Sequence, residues 1–99
     1  MKQIEAVIHQ FKLQEVRNAL DAMGIKDFME SSVVCHGQKG QSMIFRGARF
    51  VADIVSKVKL EIVATDDAAD RIIETIRSIA KTERREDCRI AIRSYQEVT

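Results

Sequence analysis

The chain has 99 residues, of which 45% are hydrophobic and 31% are charged, and its formal net charge is +1. This length suits one globular domain over residues 1–99, and the almost neutral charge disfavours a general nucleic-acid-binding protein. No apolar run reaches the roughly 18 residues that a membrane span needs, and the N-terminus lacks the pattern of a secretory signal. We therefore expect a cytoplasmic protein that is neither a membrane protein nor a nucleic-acid binder.

The first predicted unit is a strand followed by a helix. Apolar residues alternate with polar ones from Lys2 to Ile8, which is typical of a strand. The apolar residues that follow have helical spacing: Leu13, Val16, Ala19, Leu20 and Met23. Gly24 comes directly after them, at the position where a left-handed residue ends many helices.

The second predicted strand, over residues 28–34, has a weaker pattern. Ser31 and Ser32 interrupt its apolar residues, and we expect Glu30 to face water. Residues 37–53 are rich in glycine and polar side chains, with too little apolar periodicity for a regular element. We expect a long mobile loop here, and a loop of this length inside a compact domain usually has a function.

The second half of the chain predicts a strand, a helix and a strand. Apolar and charged residues alternate over residues 57–64, and Thr65 or Asp66 is expected to cap the next helix. One face of that helix carries four isoleucines, Ile72, Ile73, Ile76 and Ile79. A short strand over residues 89–93 completes the order βαββαβ, the α+β, ferredoxin-like arrangement with a long loop between strands 2 and 3. This fold hosts many unrelated functions, so the order alone names none.

Catalysis and metal binding have little support in the sequence. It contains none of the common catalytic motifs, and its only histidines are His9 and His36. Neighbours in a strand point to opposite faces, so Cys35 and His36 make a poor nucleophile and base, and we expect no enzyme. A metal site from Cys35, His36, Asp87 and Cys88 lacks the usual ligand spacing, so we expect no metal.

Most of the chain resembles the PII family of signalling proteins. Residues 35–59, CHGQKGQSMIFRGARFVADIVSKVK, are similar to the family's long effector loop and the strand after it. The segments MKQIEAVIHQFKLQEVRNALDAMGI and KVKLEIVATDD are similar to its opening strand and helix and to its third strand. The resemblance implies a regulatory homotrimer that holds an adenine nucleotide in its intersubunit clefts. It also implies signalling through the loop to a partner such as a transporter or an enzyme.

The resemblance also implies positions for the ligands. The expected nucleotide-binding residues are Val7, Glu61 and Val63 at the adenine, Gly37, Gln38 and Lys39 near the phosphates, and Asp87, Cys88 and Arg89. A small anion effector would suit backbone amides of the loop together with nearby cations. The expected anion or effector residues are Gly37, Gln38, Lys39, Gly40, Arg46 and Lys57, with Arg89 as a further counter-charge.

Several residues depart from the family pattern. Phe50 stands where many PII proteins have the tyrosine that receives a nucleotidyl group, so this modification is chemically impossible. Gly37 is followed directly by Gln38, where the family usually has an arginine between them. Residues 82–89, TERREDCR, keep the threonine, the aspartate and the terminal cation of the family's TGxxGDGK but lose its glycines. Glu83 and Glu86 add negative charge there.

These departures predict weaker binding of highly charged nucleotides. The printed sequence reaches Thr99 before the family's closing RxRTGE, so we also expect the arginines of that segment to be missing. Each lost arginine removes a charge-assisted contact worth about 1.5 to 3 kcal/mol, so ADP or AMP is expected to be favoured over ATP.

The same departures resemble a carboxysome-associated, bicarbonate-responsive branch of PII-like proteins. We therefore expect bicarbonate as a co-effector in carbon metabolism. The alternative is a nitrogen-regulatory PII protein that responds to ATP, ADP and 2-oxoglutarate, for which Gln38 and Lys57 match the loop glutamine and the strand lysine. A metal-binding or purely structural trimer is a further alternative. Cys35 and Cys88 both replace family glycines that flank the cleft, which suggests a redox-sensitive disulfide between them.

Overall fold

The structure, a computed structural model, describes residues 1–36, 42–45, 48–51, 54–84 and 87–99, with the backbone alone described at 42–45, 48–51 and 54–55. The elements in chain order are β1 (Lys2–Ile8), a 3-10 turn (Gln10–Lys12), α1 (Leu13–Ala22), β2 (Met29–His36), β3 (Ser42–Phe45), β4 (Ala48–Val51), β5 (Ile54–Ala64), α2 (Asp66–Ala80) and β6 (Cys88–Ser94).

Four strands form an antiparallel sheet in the order β2-β5-β1-β6. The alternation in β1 directs Ile4, Ala6 and Ile8 to one face, where all three are fully buried. Their partners across β5 are Ile62, Leu60 and Val58, so the two central strands supply a continuous apolar layer. The strand order and the two helices that connect strands of this sheet confirm the predicted ferredoxin-like α+β fold.

Both helices cover this apolar layer. Residues at the helix termini determine where α2 begins and where α1 ends. Val16 and Leu20 of α1 and Ile72 and Ile76 of α2 are fully buried. Thr65 is the N-cap of α2, since its Oγ1 accepts a hydrogen bond from the Ala68 N–H at 3.3 Å. Gly24 follows α1 with a φ of 79°, as predicted for a helix-ending glycine. In the described part of the chain, no helix combines the length and the apolar character needed to span a bilayer.

The prediction of a loop without regular elements over residues 37–53 was wrong in part. β3 and β4 form an antiparallel ladder in which Ser42 pairs with Val51 and Phe45 with Ala48. The short apolar segments MIF and ARFV each favour a strand, and only two residues separate the paired ends. Averaging apolar periodicity over the whole glycine-rich stretch concealed these two four-residue strands. Residues 37–41, 46–47 and 52–53 lie outside the described residues.

Glu30 is exposed, as expected, and it also makes an ion pair with a residue of α1. Glu30 pairs with Leu60, on the helix-covered face of the sheet at its β2 edge. There Arg17 of α1 donates from Nε to Oε1 of Glu30 and from Nη2 to Oε2, both at 2.6 Å. These hydrogen bonds hold the pKa of Glu30 below its ordinary value. The exposed carboxylate therefore also connects α1 to the edge strand.

Candidate functional site

The sheet face that neither helix covers brings four of the predicted nucleotide-binding residues together. In the antiparallel register Val7 lies between Lys59 on β5 and Arg89 on β6. Glu61 is the partner of Glu5, and Val63 is the partner of Gln3. Because directly paired residues project to the same side of a sheet, Val7, Glu61, Val63 and Arg89 share this open face.

A cavity of about 220 Å³ lies beside Val7 and Arg89 on the open face. Glu5, Ile90 and Ala91 complete its lining. The cavity thus combines the apolar side chain of a half-buried valine with one guanidinium and one carboxylate. Such a surface suits a flat, weakly polar group that carries an anion at one end.

Charged side chains on the open face, including Glu5 at the cavity, are arranged in ion pairs. Glu5 and Glu61 are direct cross-strand partners, which would be unfavourable for two isolated carboxylates. Arg93 reaches Glu5 at 2.5 Å, and Lys59 reaches Glu61 at 3.2 Å. Lys59 and Glu61 are therefore paired with one another on a partly exposed strand face. Lys57 is buried instead, with only 2% of its surface exposed.

A hydrogen bond between Thr82 and Asp87 closes the turn between α2 and β6, and both residues match the family pattern TGxxGDGK. Thr82 Oγ1 donates to Oδ2 of Asp87 at 2.6 Å and accepts from the Arg84 N–H at 3.1 Å. The Asp87 N–H donates in turn to the Arg84 carbonyl at 3.2 Å. Asp87 is therefore engaged in holding this turn, beside the first residue of β6.

Cys88 is placed differently from the other predicted nucleotide-binding residues. It pairs with Ile8, so its side chain lies on the helix-covered side of the sheet, whereas Val7 and Arg89 lie on the other. Burial raises the pKa of the Cys88 thiol, while the positive charges of Arg77, Lys57 and Lys81 act in the opposite direction. Only the backbone of Cys88 can contribute to a site on the open face.

The hypothesis that Cys35 and Cys88 approach one another within one chain was wrong. Both are free cysteines, on β2 and β6, the two opposite edges of the sheet. Three interstrand spacings of about 4.8 Å separate these edges, or roughly 14 Å, and the two side chains lie on different faces. A disulfide requires α-carbons within about 7 Å.

The same strand order also keeps the four residues of the candidate metal site apart. Cys35 and His36 lie on the β2 edge, while Asp87 and Cys88 lie at the start of β6 on the other edge. Among the residues that the structure describes, no group of three or more His, Cys, Asp or Glu side chains could hold a metal ion. Resemblance to family glycines could not reveal this separation, because it depends on strand order.

Several predicted site residues lie outside the described part of the chain. These are Gly37, Gln38, Lys39, Gly40 and Arg46. Phe50 belongs to β4 and pairs with Met43 through the backbone, but its side chain is likewise outside the described part. In the other direction, the sequence arguments missed Glu5 and Ala91 as lining residues. The alternation of β1 and β6 puts both on the face of Val7 and Arg89, and would have identified them.

Fold and site together define a ferredoxin-like α+β protein with a polar, cavity-bearing sheet face and an added hairpin before its longest strand. Residues 1–98 match the model of the family described as nitrogen regulatory protein P-II. The nitrogen regulatory protein P-II of Rhizobium meliloti is 41% identical over 99 residues, covering 99% of this chain and 88% of the relative. The protein of the same name from Mesorhizobium japonicum is 42% identical with the same coverage.

A third relative, the nitrogen regulatory protein P-II of Klebsiella oxytoca, is 45% identical over 83 residues, which cover 83% of this chain and 74% of the relative. The chain belongs to the PII family. Members of this family are signalling proteins that regulate partners. The general role of the chain is therefore regulatory.

Proposed function

We propose that the chain is a cytoplasmic, homotrimeric PII regulator that binds an adenine nucleotide between its subunits and signals to a partner protein through residues 37–53. The observation that carries this proposal is the shared position of Val7, Glu61, Val63 and Arg89 on the open sheet face. Two valines offer apolar contact to a purine, and a carboxylate can accept hydrogen bonds from its amino group. Arg89 offers a guanidinium to phosphate oxygens.

The size of the cavity supports a site that is shared between subunits. The space beside Val7 and Arg89 measures about 220 Å³, whereas pockets that enclose a whole ligand usually measure about 300 to 1,000 Å³. One chain therefore supplies one wall of a nucleotide site, and a second copy would supply the opposite wall. The glycine-rich loop would follow in sequence from the β2 edge and contribute phosphate contacts.

The charge of the segment between α2 and β6 supports a preference for fewer phosphates. Glu83 stands in place of a family glycine, close to the turn closed by Thr82 and Asp87. A carboxylate near the phosphate end repels a triphosphate more than a diphosphate or a monophosphate. ADP or AMP is therefore the favoured ligand, and ATP binds more weakly.

The names of the relatives support nitrogen regulation as the pathway. The relatives from Rhizobium meliloti, Mesorhizobium japonicum and Klebsiella oxytoca are all named as nitrogen regulatory proteins. This favours the nitrogen-regulatory alternative over the bicarbonate-linked expectation, and 2-oxoglutarate over bicarbonate as the co-effector. Phe50 and the missing residue between Gly37 and Gln38 are what chiefly keep bicarbonate as the competing hypothesis.

Calorimetric titration with ADP, AMP and ATP tests the nucleotide site. We expect saturable binding of ADP or AMP, weaker binding of ATP, and one site per chain. Arg89→Gln should weaken ADP binding about tenfold or more, because it removes a charge-assisted contact. Arg71→Gln, which removes an exposed arginine of α2, serves as the matched control and should bind like the wild type. No heat with any nucleotide would leave a structural trimer as the better account.

Repeating the titration with 2-oxoglutarate and with bicarbonate separates the two pathways. If one co-effector tightens ADP or ATP binding, the nucleotide must tighten that co-effector by the same factor. Coupling to 2-oxoglutarate alone would support nitrogen regulation, and coupling to bicarbonate alone would contradict it. Sedimentation equilibrium under the same conditions should give the mass of three chains.

A further inference from the structure

A second and larger cavity lies at the other side of β6, where α2 ends. Its volume is about 330 Å³. Cys88 and Ile90 form its apolar wall, and they pair with Ile8 and Ala6 on the helix-covered side of the sheet. Val7 and Arg89, which line the smaller cavity, lie on the opposite side. Most of their lining residues therefore lie on opposite sides of β6, and Ile90 lines both cavities.

The lining of this larger cavity carries an excess of positive charge. Arg77 and Lys81 contribute cations from the last turn of α2 and just beyond it, and Arg84 contributes a third. Glu83 is the one carboxylate among the described lining residues. Asp87, next to the cavity, is hydrogen-bonded to Thr82. The carbonyl end of a helix adds only about half a negative charge, so the described lining stays positive.

Arg77 and Lys81, the two cations nearest α2, are not neutralised by strong ion pairs in the described part of the chain. Arg77 makes a 3.3 Å contact with Glu74 one turn away on the exposed surface of the helix, with half of the arginine side chain exposed. Lys81 makes no ion pair with any residue in the described part of the chain. Arg77 and Lys81 each act to lower the pKa of the Cys88 thiol, against the effect of burial. Both charges therefore lie close enough to influence this thiol.

We propose that this cavity binds a small organic anion, with an oxyanion head at Arg77 and Lys81 and an apolar body against Cys88 and Ile90. The proposal does not rest on the nucleotide site, since Arg77, Lys81 and Cys88 lie on the helix-covered side of β6 and Val7 and Arg89 on the other. The two sites would adjoin at Glu83 and Ile90, and competition with ADP tests whether they are separate. Cations at a helix C-terminus also stabilise the helix without any ligand. An apolar wall and a concave, partly open cavity beside those cations are not needed to stabilise the helix, and they distinguish a binding site from simple compensation of the helix dipole.

Cys88 provides a reporter for this site in the unmodified chain, and Cys35 provides an internal control. The wild-type protein is treated with neutral iodoacetamide, and digestion followed by mass spectrometry gives the alkylation rate of each cysteine separately. Phenyl phosphate and benzoate are the probes, since they carry the two common oxyanion heads on the same apolar ring. We expect one or both to slow alkylation of Cys88 saturably and to leave Cys35 unchanged.

Charge variants then test which residues hold the probe. Lys81→Gln or Arg77→Gln should raise the half-saturating concentration about two- to fivefold, the range expected for a partly exposed charged contact. Arg71→Gln removes the same charge from an exposed part of α2 away from the cavity and should leave it unchanged. Circular dichroism confirms that each variant is folded. With two independent lysine and arginine variants, loss of fold in one still leaves the other as a test.

Three outcomes would show that no anion binds in this cavity, and a fourth would show that the cavity is not a separate site. The first is that neither probe protects Cys88, and the second is that both cysteines are protected equally. The third is that protection is the same in Lys81→Gln and Arg77→Gln as in the wild type. Saturating ADP should not shift the half-saturating concentration of the probe. Competition by ADP would show that the cavity is part of the nucleotide site, and would overturn the proposal of a separate site without affecting the proposed nucleotide binding.

Discussion

The two faces of the sheet are made by the same strands and differ in almost every property. On the helix-covered face, Ile4, Leu60 and Ile62 are fully buried. On the open face, Glu5 and Glu61 lie side by side and are balanced by cations. Since neighbouring residues of a strand point to opposite sides, one strand can stabilise the fold with one set of residues and present chemistry with the other. Substitutions on the two faces should therefore have separable effects.

The largest effect is expected for Ile62→Ala. Ile62 is fully buried in the central strand β5, so its truncation should lower the free energy of unfolding by about 2 to 5 kcal/mol. Urea denaturation at one fixed protein concentration measures the loss, because assembly also contributes to stability. Val63→Ala, the next residue along the strand, is the matched control from the open face. An equal loss in both would show that the open face is buried as deeply, by another copy of the chain.

A smaller effect is expected for Ile92→Ala. Ile92 pairs with Ile4 on the helix-covered face, but at the edge strand β6 it is 47% exposed. With about half of the side chain in water, truncation should cost about 1 kcal/mol in the same urea experiment. A loss as large as that of Ile62→Ala would mean that face alone, and not depth within the sheet, determines the contribution of an apolar residue.

The ion pair of Arg17 and Glu30 should give a small and pH-dependent effect. The arginine lowers the pKa of Glu30, so the pair stabilises the fold above the ordinary carboxyl value of 4.5 and loses this effect as pH falls through the folded pKa. Arg17→Gln should therefore lower the melting temperature slightly at pH 7. The difference from the wild type should shrink at pH 3. A difference that stays constant between these pH values would assign it to lost packing of the arginine.

The smallest effect on stability is expected for Glu61→Gln. Loss of the contact with Lys59 is offset by relief of the repulsion from Glu5, so the free energy of unfolding should change by less than about 0.5 kcal/mol. The affinity of the Glu61→Gln variant for ADP should nevertheless fall, by about tenfold if the carboxylate accepts hydrogen bonds from the base. A variant that loses stability and keeps its ADP affinity would reverse the assignment of the open face to function.

Elements marked by local signals were predictable from sequence. The alternation of β1, the apolar spacing of both helices, Thr65 as a cap and Gly24 as a helix end all depend on residues a few positions apart. The β3–β4 hairpin was missed because its two strands are short and gain stability only by pairing with one another. The ion pair of Glu30 was not predicted because its partner Arg17 lies thirteen positions away on another element.

The candidate site was predictable only in part. Resemblance indicated Val7, Glu61, Val63 and Arg89, and the alternation of their strands is consistent with a common face. It also put Cys88 in this group, although its side chain lies on the other side of the sheet. The cavity of Arg77, Lys81 and Cys88 had no sequence signal beyond a pair of cations four residues apart at a helix end.

By itself, the sequence determined which segments are strands and helices of the sheet layer, and which residues of each central strand are apolar. Those properties follow from side-chain spacing along one stretch of backbone. Only the tertiary structure decided that Cys35 and Cys88 lie at opposite edges, that Glu30 meets Arg17, and that two cavities flank β6. These depend on strand order and register, which the hydrogen bonds and packing between distant segments establish together.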